Sequence, residues 1–355
     1  MRKLSSFTAK ILKWYQNNKR ELPWRETTNP YYIWLSEIIL QQTRINQGIN
    51  YYRAFTDQYP TLSGFAEADE DHILKLWQGL GYYSRARNMH YTARELMTNH
   101  NGHFPDNYQD LIKLKGIGPY TAAAIASIAF NEQKAAVDGN VFRVLSRIFG
   151  IDTPIDSTKG RTEYTELAYQ LMDKSHPGTF NQAMMDFGAI QCSPKSPQCS
   201  TCPFGDSCQA FMQNRINFFP VREKQIKIRS RYFNYLVITN PNTIFLQKRT
   251  QSDIWKNLYE FPLIETPTKL PVEELEKDLV QFFGSQQIEI SEVTKWEKQV
   301  LSHQHIYYRF LYFRTELKRN TPPNLIEVNK KDIFNFAVPK PVEQGIAKII
   351  RNISI

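Results

Sequence analysis

Along the first 215 residues apolar side chains recur at three and four spacing, as in Phe7-Ile11-Leu12-Tyr15, Ile73-Leu74-Trp77 and Leu167-Leu171. That is the period of helices with one buried face, and it predicts a mainly helical first domain over 1–215. The pattern lapses over 216–231, where Pro220, Arg222, Lys224, Lys227, Arg229 and Arg231 form a basic, irregular stretch that reads as a linker or as a charged arm facing a partner. Beyond it the pattern changes to strands at Tyr232 to Thr239, Thr243 to Lys248 and Ile306 to Thr315, with a turn at Asn240-Pro241-Asn242. Helices at Val272 to Phe283 and Val342 to Ile350 interleave with them, so 232–355 is expected to be a second, α+β domain. No internal repeat or low-complexity tract interrupts the chain.

Two segments depart from plain amphipathic patterning. Tyr31 to Thr43 is apolar around one carboxylate, and on a helix the neighbours of Glu37 are Ile33, Trp34, Leu40 and Gln41. Such a face strips the carboxyl of water and raises its pKa toward that of a proton donor, unless an arginine pairs with it. Further on, Leu111 to Leu114 reads as a helix, Gly116-Ile117-Gly118 as a tight turn, and Pro119-Tyr120-Thr121-Ala122 as the start of an Ala-rich helix. Glycines permit close backbone approach, and free N–H groups at a helix start suit a phosphate, although a plain helical hairpin has the same pattern. About twenty residues later, Val137-Asp138-Gly139-Asn140-Val141 places a carboxylate at the entrance of the next helix, either as a cap or as an anion that the helix dipole keeps ionised. One neutral carboxyl group and one carboxylate are the pair that acid-assisted glycosidic cleavage requires.

Charge and cysteines sharpen this picture. Forty-four basic against thirty-five acidic residues give a net charge of +9, which favours an anionic partner, nucleic acid first. No apolar run reaches the ~20 residues of a membrane span, and the charged start of the chain offers no signal peptide, so a cytoplasmic protein is expected. All four cysteines fall between 192 and 208, which in such a chain points to a metal site over disulfides. Their spacing, Cys192-x6-Cys199-x2-Cys202-x5-Cys208, does not by itself choose between zinc and a four-iron four-sulfur cluster.

Helix, Gly-x-Gly turn, helix and Val-Asp-Gly-Asn-Val together resemble the helix-hairpin-helix DNA glycosylase superfamily. In its strand-cleaving members a lysine stands two residues after the second glycine, and Tyr120 stands there in this chain. The resemblance therefore implies a monofunctional glycosylase. Glu37-Ile-Ile-Leu-Gln-Gln-Thr43 and Trp77-Gln-Gly-Leu-Gly-Tyr-Tyr-Ser-Arg-Ala86 resemble the MutY-type adenine DNA glycosylases, as does the cysteine spacing, which implies a 4Fe-4S cluster on Cys192, Cys199, Cys202 and Cys208. Carried over by position, the resemblance makes Glu37 the donor of a proton to adenine and Asp138 the group that stabilises the sugar cation, supported by Tyr120 and Asn140. Trp24, Arg25 and Gln182 would line the adenine pocket. Gly116 and Gly118 would anchor the DNA backbone, Gln42 and Tyr82 would wedge beside the flipped nucleotide, and Thr43 and Leu80 would approach the oxidised guanine.

In the second half Ile254 to Pro262 resembles the entry to a MutT-like, Nudix-fold domain, but Glu273-Glu274-Leu275-Glu276 lacks the metal box of a pyrophosphohydrolase. The resemblance assigns Ser302 and His303, within Leu301-Ser-His-Gln-His305, to reading the oxidised guanine. The fold expected is an all-α glycosylase domain with an iron-sulfur loop joined to an α+β Nudix-like domain. The expected partner is double-stranded DNA with adenine opposite 8-oxoguanine or guanine, bound by a monomer. Alternatives on the same scaffold are a thymine or uracil mismatch glycosylase and a DNA-damage binding protein without activity.

Overall fold

The structure, a computed structural model, describes residues 2–223, 227–284, 289–314 and 324–351. Lys224 of the basic segment and Thr315 at the end of a predicted strand lie outside the described residues. The chain forms two compact units, and the division is not linear: residues 1–67 and 88–225 make the first, 68–87 and 226–355 the second.

The first unit is helical. Helix Pro30–Ile39 starts on a proline at its first position, and the Asn29 side chain accepts from the Tyr31 N–H at 2.9 Å, satisfying a donor that the helix start would leave open. Eight of its ten residues are buried, Glu37 among them. The Ala-rich helix Pro119–Ala129 packs between this helix and Pro177–Asp186, its small side chains allowing close approach. Helix Gly139–Phe149 is capped by Asp138 and ends on Gly150 in left-handed backbone. The predicted first helix of the hairpin is a single turn, Tyr108–Leu111. Gly116 follows it with φ +81°, and a Cβ there would lie 2.8 Å from Asn88 Cβ, so the turn needs glycine twice over.

Among the described residues the second unit is built on an eight-stranded sheet: β1 Arg229–Thr239, β2 Thr243–Lys248, β3 Tyr259–Glu260, β4 Leu263–Thr266, β5 Ile290–Val293, β6 Glu297–Val300, β7 Gln304–Arg314 and β8 Leu325–Asn329. At its centre β1 and β7 run parallel, in register from Arg229 opposite Gln304 to Thr239 opposite Arg314. The other pairings are antiparallel. Alternation along β1 sends Phe233, Tyr235 and Val237 to a core under helix Lys340–Arg351, and Leu236 and Ile238 to another under helix Glu276–Phe283. Strand β1 begins three residues before the sequence reading, at Arg229. Arg231 can enter the sheet because Asp253 and Glu265 pair with its guanidinium at 2.7 and 2.6 Å. Residues 68–87 are tied to this unit where Asp71 accepts from Lys248 Nζ at 2.6 Å and Tyr259 Oη at 2.8 Å. Among the described residues no helix is long and apolar enough to cross a membrane.

Candidate active site

A cavity of about 850 Å³ in the first unit gathers most of the residues singled out in its sequence: Trp24, Arg25, Glu37, Gln42 and Thr43 from its early part, then Gly118, Tyr120, Asp138, Asn140 and Gln182. Gly116 lies outside the cavity, on the exposed turn that leads to Gly118.

Within this cavity Glu37 is 9% exposed. Burial pushes its carboxyl up to about 7 and Asp138 adds to the rise, while a hydrogen bond with Tyr120 and the charge of Arg25 pull the other way. Met185 Sδ lies 3.0 Å from the Tyr120 hydroxyl as an alternative acceptor of its one proton, and burial, with Glu37 and Asp138 beside it, holds its pKa well above the ordinary tyrosine value. Asp138 is the cap of Gly139–Phe149: one carboxylate oxygen accepts from the N–H groups of Asn140 and Val141 at 2.9 and 2.8 Å, the other from Asn140 Nδ2 at 2.7 Å. Burial raises its pKa above the ordinary aspartate value, against the pull of these hydrogen bonds. The helix entrance read from the sequence is therefore real, but burial acts on both carboxyl groups, and what separates them is their donors. Three hydrogen bonds point at the anion of Asp138, whereas Glu37 sits among Ile33, Ser36, Leu40 and Tyr120.

The wall behind the carboxylates was not legible by motif. Asp186, fully buried at the end of Pro177–Asp186, accepts from Arg25 Nη1 at 2.5 Å and Nη2 at 2.7 Å and from Arg20 Nε at 2.8 Å, fixing the guanidinium of Arg25 beside Glu37. Tyr15 donates to Gln182 Oε1 at 3.0 Å and orients that side chain. Arg143, one turn after Asn140, donates to Asn140 Oδ1 at 2.8 Å, to Gly188 O at 2.6 Å and to Cys192 O at 2.8 Å. It thereby ties the cap at Asp138 to the cysteine loop. A single π turn, Phe187–Gln191, makes this possible: a Cβ on Gly188 would lie 2.6 Å from Asn140 Cβ.

Cys192, Cys199, Cys202 and Cys208 all line one small cavity of about 20 Å³ with Arg147 and Phe187. Arg147 donates to Cys192 Sγ at 3.5 Å and to the carbonyls of Ser193 and Pro194 at 2.8 and 3.0 Å, and the Phe204 N–H donates to Cys202 Sγ at 3.5 Å. Among the described residues no group of three or more His, Cys, Asp or Glu side chains is arranged to hold a metal ion.

Tyr82, Ser302 and His303 lie together in the second unit, lining a cavity of about 370 Å³ with Asp253, Trp255 and Arg87. The hydroxyls of Tyr82 and Ser302 are hydrogen-bonded, and His303 O accepts from the Arg229 N–H at 3.1 Å. Leu80 is buried, with 9% of its surface exposed. Gln42 (φ 57°) and Tyr82 (φ 48°), the two residues expected to wedge into a duplex, both hold left-handed backbone, which residues with a Cβ adopt at a cost of about 1–3 kcal/mol.

Residues 35–168 match the family model of the HhH-GPD superfamily base excision DNA repair proteins, and residues 234–348 match that of the NUDIX domain. The adenine DNA glycosylase of Buchnera aphidicola subsp. Schizaphis graminum is 32% identical over 351 residues, 95% of this chain and 97% of that protein. The chain belongs to the adenine DNA glycosylase family. A member of this family from Homo sapiens is 42% identical over 216 residues, covering 58% of this chain and 40% of its own length. Among solved structures, a thermostable thymine-DNA glycosylase superposes with a TM-score of 0.56 at 30% identity, over 60% of this chain and 98% of its own. An endonuclease III from a DNA complex shares the fold, with a TM-score of 0.53 at 22% identity over 60% of this chain and 97% of its own. The adenine DNA glycosylase family relationship thus spans both units, whereas these two structures each cover about three fifths of the chain.

Proposed function

We propose that this protein removes adenine from duplex DNA where it is mispaired with 8-oxoguanine or guanine, as a monomer and without cutting the strand. The observation that carries the reading is the pair of carboxyl groups in one cavity, Glu37 with a pKa near 7 and Asp138 held by three donors to its anion. A base must leave the stack before an acid reaches it, and the cavity has room for a flipped purine. Glu37 then protonates the adenine ring, the bond from N9 to C1′ breaks with its electron pair going to the base, and Asp138 stabilises the sugar cation until water adds at C1′ and loses a proton. Tyr120 and Asn140 hold the two carboxyl groups, and Trp24, Arg25 and Gln182 bound the base. Gly116 and Gly118 present the hairpin backbone to a phosphate. Gln42 and Tyr82 fill the space beside the flipped nucleotide, and Thr43, Leu80, Ser302 and His303 meet the opposing base.

An abasic site on an intact strand is the expected product, because Tyr120 offers no amine to attack C1′. A duplex with adenine opposite 8-oxoguanine should lose adenine and break only after alkali or heat. Release of thymine or uracil from mismatched duplexes, with adenine untouched, would overturn the reading.

Cys192, Cys199, Cys202 and Cys208 would hold a 4Fe-4S cluster. Here the four cysteines line one cavity, and N–H groups point at the sulfurs of two of them, a thiolate donor set that suits a polynuclear cluster. When bound, the cluster supplies a rigid cross-link for the loop, and no step of the hydrolysis moves an electron. Anaerobically purified protein should be brown, with about four irons per chain; stoichiometric zinc in colourless, active protein would contradict the assignment.

A further inference from the structure

The second unit carries an aromatic and cationic surface outside the cavity lined by Ser302 and His303. Side chains alternate along β7, so His305, Tyr307 and Arg309 share a sheet face, and Tyr232 lies opposite Tyr307 in the parallel register. The Tyr232 and Tyr307 rings are stacked, with centroids 5.2 Å apart and planes 12° apart, and Trp296 meets Tyr232 edge-on at 6.2 Å. Lys269 Nζ lies 4.6 Å from the centre of the Tyr307 ring and 6.0 Å from that of Trp296, and Lys298 Nζ lies 5.4 Å from Tyr307. Arg309 sits beneath, 4.6 Å from Trp296, locked by Asn234 Oδ1 at 2.7 Å and Leu270 O at 2.8 Å.

The two lysines are exposed. Neither is in a salt bridge among the described residues. A solvated lysine loses rotamer entropy when it is fixed on a partner. Rings that already hold the ammonium groups reduce that loss at the moment of binding. Because the faces of Tyr307 are taken by Tyr232 and by the lysines, the surface is arranged to present cations and not to stack bases. Its chemistry is complementary to a row of phosphates. The surface also continues along β7 into the Ser302-His303 turn, four residues and about 13 Å from Tyr307.

We propose that Lys269 and Lys298, held on the Tyr232–Tyr307–Trp296 platform, form a second contact for the backbone of duplex DNA, apart from the contacts to the flipped base. The inference rests on the proposed function only in that this protein binds duplex DNA. A phosphate contact acts on every sequence alike, and each one lost lowers the slope of log K against log salt by about 1.

The test is the salt dependence of duplex binding by the full chain, for undamaged DNA and for the adenine and 8-oxoguanine duplex. The double substitution Lys269→Gln, Lys298→Gln should reduce the slope by about 2 on both duplexes. Its single-turnover rate of adenine release at saturating protein should match the wild type. A control with the same charge change elsewhere, Lys331→Gln with Lys340→Gln, should keep the wild-type slope, and thermal unfolding should show all variants folded. An unchanged slope in the first variant, or an equal loss in the control, overturns the contact. Wild-type protein that binds duplex but releases no adenine would sink the proposed function and leave the salt slopes to decide the surface.

Discussion

Replacing Glu37 by Gln is expected to lower the single-turnover rate of adenine release by about 10²- to 10⁴-fold, the usual contribution of a positioned acid, with duplex affinity nearly unchanged. Glutamine fills the same space among Ile33, Ser36 and Leu40 but has no proton to give. The wild-type rate should carry the signature of that proton: with a carboxyl pKa near 7, it should be level in mild acid and fall tenfold per pH unit above about 7. The stability of the variant provides an independent reading. A carboxyl whose pKa rises from 4.5 to about 7 on folding binds its proton more tightly in the folded state. The folded wild type is therefore penalised as pH rises through that window. Glutamine removes the penalty, so the variant should be no less stable than the wild type at pH 8 while being inactive. A variant that keeps full activity would remove Glu37 from the proposed chemistry.

Part of the site is legible in the sequence and part is not, and locality separates the two. Glu37 and Asp138 stood out because a helix period and a helix entrance are local properties, and the structure places both where the periods put them. Local pattern did not show that burial raises Asp138 as well, since that burial comes from distant segments that share its cavity, Met185 and Ala189 among them. Asp186 is more instructive. It is a lone carboxylate in an apolar helix, Phe180-Asn-Gln-Ala-Met-Met-Asp186, the very signal that singled out Glu37, yet it is paired with two arginines and holds the pocket wall. The signal identifies a buried carboxylate; whether an arginine meets it is decided by chain segments 160 residues apart, which periodicity does not encode. The basic run at 216–231 shows the converse. It lacks a periodic face, yet its last three residues are strand, because Arg231 finds Asp253 and Glu265 only when the sheet has formed.

The largest effect on stability should come from Asp186→Asn. The carboxylate is fully buried, while the side chains of Arg25 and Arg20 are 11% and 30% exposed. Removing one partner of a buried ion pair costs about 3–5 kcal/mol, because the remaining charge is left without compensation. Arg20 can turn toward water and Arg25 much less, so the lower part of that range is expected, read as a drop in the urea midpoint at unchanged m-value. Burial alone would raise the Asp186 pKa, but hydrogen bonds and charge from Arg25 and Arg20 outweigh it and hold the group below the ordinary 3.8. A depressed carboxylate contributes stability that is present above its unfolded pKa and lost as pH falls through the folded value. The difference between wild type and variant should therefore be constant through neutral pH and close only below about pH 4. Stability and catalysis can then be separated. Replacing all three charges, Arg20→Met, Arg25→Met and Asp186→Leu, removes the uncompensated ion and should recover most of the lost stability. Adenine release should fall below the wild-type rate, because Arg25 also lines the cavity and bounds the base. If the triple variant regained wild-type release, Asp186 and its arginines would be a purely structural cross-link, and the pocket would need neither the guanidinium of Arg25 nor its charge.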